Sequence, residues 1–240
     1  MLNNCFNPML VLFDIDGTLV HAGGAGRAAL ESAMVEIYGT AGPIDELPFD
    51  GLTDPQIACT LLSAAGFDEG SIDKGLDLLW VSYLNCLRSE LIACRDDMKA
   101  YPGVLSLLDA LDEIGVTLGL VTGNILGGAH GKLEACGLGG RFLFGAFGSD
   151  AADRNDLPPI AIDRAFTETG IHFAPEETWI VGDTPQDIAC AKASELRVLA
   201  VATGRFSVAE LKEAGADWAV PSLDHTADVM TILTSSSRAK

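Results

Sequence analysis

The sequence predicts an α/β fold, in which a parallel sheet carries helices on both faces and an all-helical segment is inserted after the first strand. Apolar runs that read as strands begin at Val11, Val116, Phe142, Glu177 and Arg197, and helical patterns separate the last four. Between about residues 22 and 100 the strand signal disappears and only helical periodicity is left. The first run ends in Asp14 and Asp16, two carboxylates two residues apart, followed by Gly17 and Thr18. Strand tips are where open parallel sheets bind their ligands.

A chain of 240 residues, 48% hydrophobic and 20% charged, buries a full core and has room for one large domain or one domain with an insertion. Its net charge of -19 argues against nucleic acid and anionic membrane surfaces as partners, because phosphate is repelled across most of such a surface. An anionic substrate therefore needs a bound cation and a few basic groups inside one cleft. The cysteines, Cys5, Cys59, Cys86, Cys94, Cys136 and Cys190, form no C-x-x-C pair and mostly read as reduced core residues. Residues 1–13 lack the basic start, apolar stretch and cleavage site of a signal peptide, and no run approaches a membrane span. The expectation is a cytoplasmic protein, monomer or homodimer.

In chain order, Val11-Leu12-Phe13 is the first buried strand, and Asp14 and Asp16 lie at or beyond its tip. Asp14 is suited to act as a nucleophile, and Asp16 to carry protons to and from a leaving oxygen. Gly24–Ala29 fits G-x-G-x-x-A, but it starts ten residues beyond Asp14 and no second strand with a terminal acid follows. A dinucleotide site is therefore rejected, and these glycines read as a hinge. Leu30, Ala33, Met34 and Ile37 mark a helix, and Thr53-Asp54-Pro55-Gln56 starts another, with either Thr53 or Asp54 as its cap. Leu76, Leu79, Trp80, Tyr83, Leu84, Leu87 and Leu91 then repeat at three and four residues, the spacing of a long amphipathic helix. The break at Tyr101-Pro102-Gly103 returns the chain to the main body, so residues 1–21 and 100–240 form the core and 22–99 the insertion.

The strand Val116–Val121 stops at Thr122-Gly123-Asn124, where a hydroxyl and free backbone N–H groups make either a phosphate cradle or an ordinary turn. A helix spans 125–136; its Gly131-Lys132 is no P-loop, because Leu126 and Leu133 stand where that motif needs Gly and Ser or Thr. Phe142–Phe147 reads as a third strand, followed by an acidic loop from Gly148 to Asp156 whose basic residue is Arg154. After the strand from Glu177, Pro185 starts a helix, which puts Asp183 at a strand tip and Asp187 one turn into the helix. Both acids can then face a hard cation together with Asp14. Arg197–Val201 is a last central strand, Asp217–Val220 a short edge strand, and Ser235–Lys240 a frayed tail.

Asp14-Ile15-Asp16-Gly17-Thr18 resembles the first motif, D-x-D-G-T, of the haloacid dehalogenase superfamily, whose commonest members are magnesium-dependent phosphatases. Thr122 resembles the second motif, and Gly182-Asp183-Thr184-Pro185-Gln186-Asp187-Ile188-Ala189 the fourth, which is more specific than the first. The third motif, a Lys or Arg most often within K-P-x-P, departs from the pattern, since Asn155 aligns with the lysine and Arg154 falls one residue early. Arg154 is assigned the role because a phosphate dianion beside several carboxylates needs a cation.

The resemblance spans residues 9 to about 222 and implies a Rossmann-like core whose helical insertion is a cap over the cleft. Arg27, Thr53 and Asp54 are the cap candidates for facing it. It further implies two-step phosphoryl transfer on a small phosphorylated metabolite, with 2-phosphoglycolate as the suggested substrate. Asp14 would be the nucleophile and Asp16 the acid and base, with Thr122, Gly123, Asn124 and Arg154 holding the phosphate. Mg2+ would be held by Asp14, the backbone carbonyl of Asp16 and Asp183, with Asp187 as a ligand or just behind one. Asp16 with Asp183 favours phosphate over dehalogenation, and neither cap-region lysine, Lys74 or Lys99, sits in a phosphonatase motif. A phosphomutase shares this core. A receiver-like module phosphorylated on aspartate lacks a cap of this size, and a degenerate scaffold is expected to lose Asp14 or Asp16.

Overall fold

The computed structural model describes residues 8–235, so Cys5 and the tail beyond Ser235 lie outside the described residues. The chain opens with β1 (Leu10–Phe13) and β2 (Val20–His21), then runs through α1 (Ala25–Tyr38), α2 (Asp54–Ala64) and α3 (Glu69–Ala93) to β3 (Lys99–Ala100). It continues as α4 (Val104–Glu113), β4 (Thr117–Thr122), α5 (Leu126–Ala135), β5 (Gly145–Phe147), α6 (Leu157–Thr169), β6 (Thr178–Gly182) and α7 (Pro185–Ala193). It closes with β7 (Arg197–Val201), α8 (Val208–Glu213), β8 (Trp218–Val220) and α9 (Thr226–Leu233).

Six strands form one parallel sheet in the order β5-β4-β1-β6-β7-β8. Its central strands are continuous apolar runs because both faces are covered. Val11 and Phe13 point with Trp179 and Val181 into a core shared with Leu107 and Leu111 of α4. Leu10 and Leu12 point the other way with Ile180, against Leu157 and Ala161 of α6 and Ile188 of α7. Each such side chain contributes about 1.5–3 kcal/mol by leaving water. β1 sits between β4 and β6, with Phe13 paired to both Leu120 and Val181, so three strand tips lie side by side.

The helices α1, α2 and α3 enclose a separate core of Ala29, Met34, Leu61, Leu79, Tyr83 and Leu87, to which Ile125 of the main body adds one side chain. The segment leaves and rejoins the main body through an antiparallel pair, Val20 with Ala100 and His21 with Lys99. Two residues per strand are too few to show a period, so this ribbon was not expected from the sequence. None of the described helices is long and apolar enough to cross a membrane.

Two local readings change and one open alternative is decided. The strand expected over 142–147 begins only at Gly145. Phe142 turns its ring to Phe13, with centroids 6.0 Å apart, and the Phe144 ring occupies the space a Cβ on Gly119 would need. Phe144 O still accepts from Leu120 N at 3.2 Å, but the aromatic rings lie over the sheet and the regular ladder starts only at Gly145. Of the expected hinge glycines, Gly23 and Gly24 take positive φ in a turn, but Gly26 lies inside α1. The α2 cap is Thr53, whose side chain accepts from Gln56 N in a full capping box.

Candidate active site

Asp14 is the first residue beyond β1, and its backbone N–H still donates to Val181 O at 2.9 Å, which fixes it between the tips of β4 and β6. The chain then turns sharply: Gly17 N donates to Val20 O at 3.1 Å and Val20 N to Ile15 O at 2.9 Å. Gly17 has φ +82°, and a Cβ there would overlap the Asp183 carboxylate, as would one on Gly204. Two glycines thus cradle Asp183, which also accepts from Thr18 Oγ1 at 3.1 Å on Oδ1. On α7, Asp187 Oδ2 accepts from Thr184 N at 3.0 Å and Thr184 Oγ1 at 2.7 Å, completing that helix's capping box.

Arg154 enters from a single 3-10 turn, Arg154–Asp156, capped by Asp153, whose carboxylate accepts from Asn155 N at 2.9 Å. The turn buries Arg154 and exposes Asn155. Arg154 Nη2 lies 2.9 Å from Asp14 Oδ1 and 2.5 Å from Asp187 Oδ1. Both oxygens of Asp187 are therefore occupied, whereas Asp14 Oδ2 and Asp183 Oδ2 accept no hydrogen bond among the described residues.

Asp14, Asp183 and Asp187 each bring one carboxylate oxygen within 4.8 Å of the others, all buried. Burial, with repulsion from neighbouring acids, pushes Asp14 up to about 7 against the pull of Arg154, and Asp183 up to about 9. One guanidinium does not balance this cluster. Free carboxylate oxygens, excess buried negative charge and an all-oxygen donor set fit a hard divalent cation between Asp14 and Asp183.

A second cluster stands opposite. Thr122 ends β4, and its Oγ1 accepts from Asn124 Nδ2 at 2.8 Å. The same Nδ2 donates to Asp16 Oδ2 at 2.7 Å, and Lys132 of α5 donates to Asp16 Oδ2 and to Asn124 Oδ1, both at 2.6 Å. Burial alone would lower Lys132, but Asp16 and Asp54 outweigh it and raise it. Burial pushes Asp54 up to about 6 against the opposing charge of Lys132.

The loop ahead of α2 is inserted among the strand tips. Thr53 Oγ1 donates to Ala152 O at 2.7 Å, Asp54 N to Gly123 O at 2.7 Å, and Ile125 N to Asp54 Oδ2 at 2.8 Å. Gly123 is bare because a Cβ there would overlap the Leu52 carbonyl. Arg27 braces this region, donating to Ile44 O at 2.5 Å and Leu47 O at 2.9 Å with its guanidinium 3.9 Å above the Phe49 ring.

One cavity of about 380 Å³ joins the two clusters, lined by Asp14, Asp16, Thr122, Gly123, Asn124, Lys132, Arg154 and Asp183 and, from the helical segment, by Arg27, Asp54 and Tyr83. Asp187 stands behind this lining and holds Arg154. Of the three cap candidates, Asp54 lines the cavity with its carboxylate tied to Ile125, Arg27 lines it with one N–H of each terminal nitrogen given to a cap carbonyl, and Thr53 is consumed by its cap and its bond to Ala152. Sequence reasoning missed Lys132. The available signal was its place on the stripe Gly128, Ala129, Lys132 and Leu133, the buried face of α5.

Carboxylates at the tips of two parallel strands, a hydroxyl at the third and a roof of helices define an acid-based hydrolase on an α/β core. The chain belongs to the haloacid dehalogenase-like hydrolases, whose family model matches residues 11–201. It is 29% identical over 201 residues to a phosphoglycolate phosphatase of Rhodospirillum rubrum, covering 82% of this chain and 80% of that one. It is 25% identical over 224 residues to the pyrophosphatase PpaX of Oceanobacillus iheyensis, covering 93% and 95%. In fold it is similar to a hydrolase from Pseudomonas syringae, with a TM-score of 0.71 at 18% identity over 95% of this chain and 100% of that one.

Proposed function

We propose that this chain is a cytoplasmic, magnesium-dependent phosphatase that hydrolyses a small phosphorylated metabolite of the 2-phosphoglycolate kind through a phosphate ester on Asp14. The observation that carries the reading is Arg154 Nη2 at 2.9 Å from Asp14 Oδ1, with Asp16 facing the same cavity. A nucleophilic carboxylate needs a neighbouring cation to accept a phosphate dianion, and a second acid to release the alcohol. The names of the relatives, a phosphoglycolate phosphatase and a pyrophosphatase, favour a compact phosphorylated substrate.

In this reading Asp14 attacks phosphorus in line while Arg154, the Thr122 hydroxyl and the backbone of Gly123 and Asn124 hold the non-bridging oxygens. Asp16 gives its proton to the leaving oxygen, then takes one from the water that cleaves the aspartyl phosphate. Asp14, Asp183 and the Asp16 carbonyl would hold a divalent cation, which when bound would supply positive charge against the phosphate oxygens. Asp187 keeps Arg154 in place, and residues 22–99 form the cap domain that excludes water.

The test is phosphate release from an aryl phosphate and from 2-phosphoglycolate, with Mg2+ or with EDTA, for the wild type and Asp14→Asn. Magnesium-dependent release that disappears in the variant is the expected result. Release that survives in pure Asp14→Asn overturns the mechanism, and conversion of a sugar phosphate to its isomer without net release identifies a phosphomutase.

A further inference from the structure

We infer that Lys132 is a positioning residue for Asp16, holding the acid at the leaving-group side of the cavity; this rests on the phosphatase reading above. Asp16 sits on a tight turn beyond β1, and its side chain is 41% exposed to the cavity, against 7% for that of Lys132. Alone, such a carboxylate would sample several rotamers. Here it belongs to a closed ring of hydrogen bonds. Lys132 Nζ donates to Asp16 Oδ2 and Asn124 Oδ1 at 2.6 Å each, and Asn124 Nδ2 returns to Asp16 Oδ2 at 2.7 Å. The ring is anchored to the end of β4 through the Thr122 hydroxyl, 2.8 Å from Asn124 Nδ2.

Both bonds to Asp16 fall on one oxygen. Among the described residues Oδ1 accepts none, so it is the oxygen available to exchange a proton with the substrate. Lys132 is thus separate in task from Arg154, which lies against Asp14 and Asp187.

The helical segment closes on the same ammonium. A Cβ on Gly26 of α1 would lie 3.1 Å from Lys132 Nζ and 3.8 Å from the hydroxyl of Tyr83 on α3. Asp54, at the start of α2, is the second acid whose charge acts on Lys132. Gly26 of α1 and Asp54 of α2 therefore both bear on the side chain that holds the acid. Gly26 is bare where the ammonium passes, which gives the rejected G-x-G-x-x-A match a steric explanation.

Positioning an acid matters most when the leaving oxygen is basic. An alkyl phosphate needs its oxygen protonated as the bond breaks, whereas 4-nitrophenolate leaves with little help. The experiment compares Lys132→Met with the wild type, in saturating Mg2+, on an alkyl phosphate and on 4-nitrophenyl phosphate. The expected result is a fall in kcat of about 100-fold or more on the alkyl ester and less than about 10-fold on the aryl ester, with KM nearly unchanged. Should Lys132→Met fail to fold, Lys132→Arg keeps the charge between Asp16 and Asp54 but exchanges a compact ammonium for a planar fork. It should show the same ordering at smaller size. Equal losses on both esters, or a loss confined to KM, in whichever variant folds, overturns the inference and makes Lys132 a structural or phosphate-binding residue. A wild type that releases phosphate from neither ester fails at the earlier step and overturns the phosphatase reading itself.

Discussion

The two walls of the cavity use the same device for different ends. On one wall Arg154 links Asp14 to Asp187; on the other Lys132 links Asp16 to Asn124, with Asp54 close by. Arg154 presents one guanidinium nitrogen to two carboxylates, at 2.9 and 2.5 Å. Lys132 supplies a compact ammonium to one carboxylate and one amide, each at 2.6 Å. The first wall is closed, with Asp14, Asp187 and Arg154 all buried, and the second is open at Asp16. A dry wall suits a nucleophile with its counter-charges, and a wet one suits an acid that exchanges protons with substrate and water.

The largest break in this comparison is Asp14→Asn. An amide cannot form the phosphate ester, so turnover should fall on the order of 10⁴-fold or more, with phosphate release as the assay. The variant should melt no lower than the wild type in EDTA, because it removes a carboxylate whose burial pushes it up to about 7. An equal fall in activity accompanied by a large drop in melting temperature would mean that Asp14 acts chiefly in structure.

Arg154→Met attacks the same wall from the cation. It leaves Asp14 and Asp187 as buried charges without their shared partner, a loss of about 3–5 kcal/mol where a buried pair is broken from one side. Urea unfolding in EDTA measures it, and activity should fall with it on every ester tested. Arg154→Lys should recover only part, since a single ammonium nitrogen cannot reach both the two carboxylates and the Gly51 carbonyl that Arg154 Nη1 meets at 3.3 Å. Together with the leaving-group dependence expected for Lys132→Met, this separates a wall that serves the phosphate from one that serves the alcohol.

The two walls also differed in how far the sequence revealed them. Asp14, Asp16, Asp183 and Asp187 were legible because each stands at a strand tip or helix start, where a short pattern fixes its place. The sheet was legible for a related reason: strands buried on both faces leave unbroken apolar runs. Arg154 was harder, since only the 3-10 turn capped by Asp153 decides that Arg154 faces inward and Asn155 outward. Lys132 gave only a faint signal, a lysine on the apolar stripe of α5. It lies in a helix ten residues beyond Thr122, and its meaning comes from its bond to Asp16 and the close approach of Gly26 on α1, contacts distant in sequence. The missing first half of the 142–147 strand has the same origin, because aromatic residues able to extend a sheet can also fold over it.

The metal sharpens the contrast through pH. Asp14 and Asp183 stand at about 7 and about 9 in the folded protein, above the ordinary 3.8, so folding favours their protonated forms. Their contribution to stability is complete below about pH 4 and is lost as pH rises through about 7 and then about 9. Melting curves in EDTA should therefore fall from pH 5 to pH 8. Bound Mg2+ favours the ionised forms, so the gain in melting temperature on adding it should be larger at pH 8 than at pH 5. A gain that is constant over this range would place the cation away from these two acids.

The smallest effect tests how the helical roof is held to the walls. Thr53 caps α2 and also donates to Ala152 O at 2.7 Å, so one hydroxyl serves both the insertion and the loop that carries Arg154. Loss of a cap alone costs about 1 kcal/mol. Thr53→Ser keeps the oxygen and should keep both bonds, whereas Thr53→Ala loses the cap and leaves the Ala152 carbonyl without its donor. If the hydroxyl only caps α2, Thr53→Ala should shift urea unfolding by about that 1 kcal/mol and leave kcat unchanged. If it also sets the loop beneath Arg154, kcat should fall several-fold for aryl and alkyl esters alike, the signature of the Arg154 wall and the opposite of that expected for Lys132→Met.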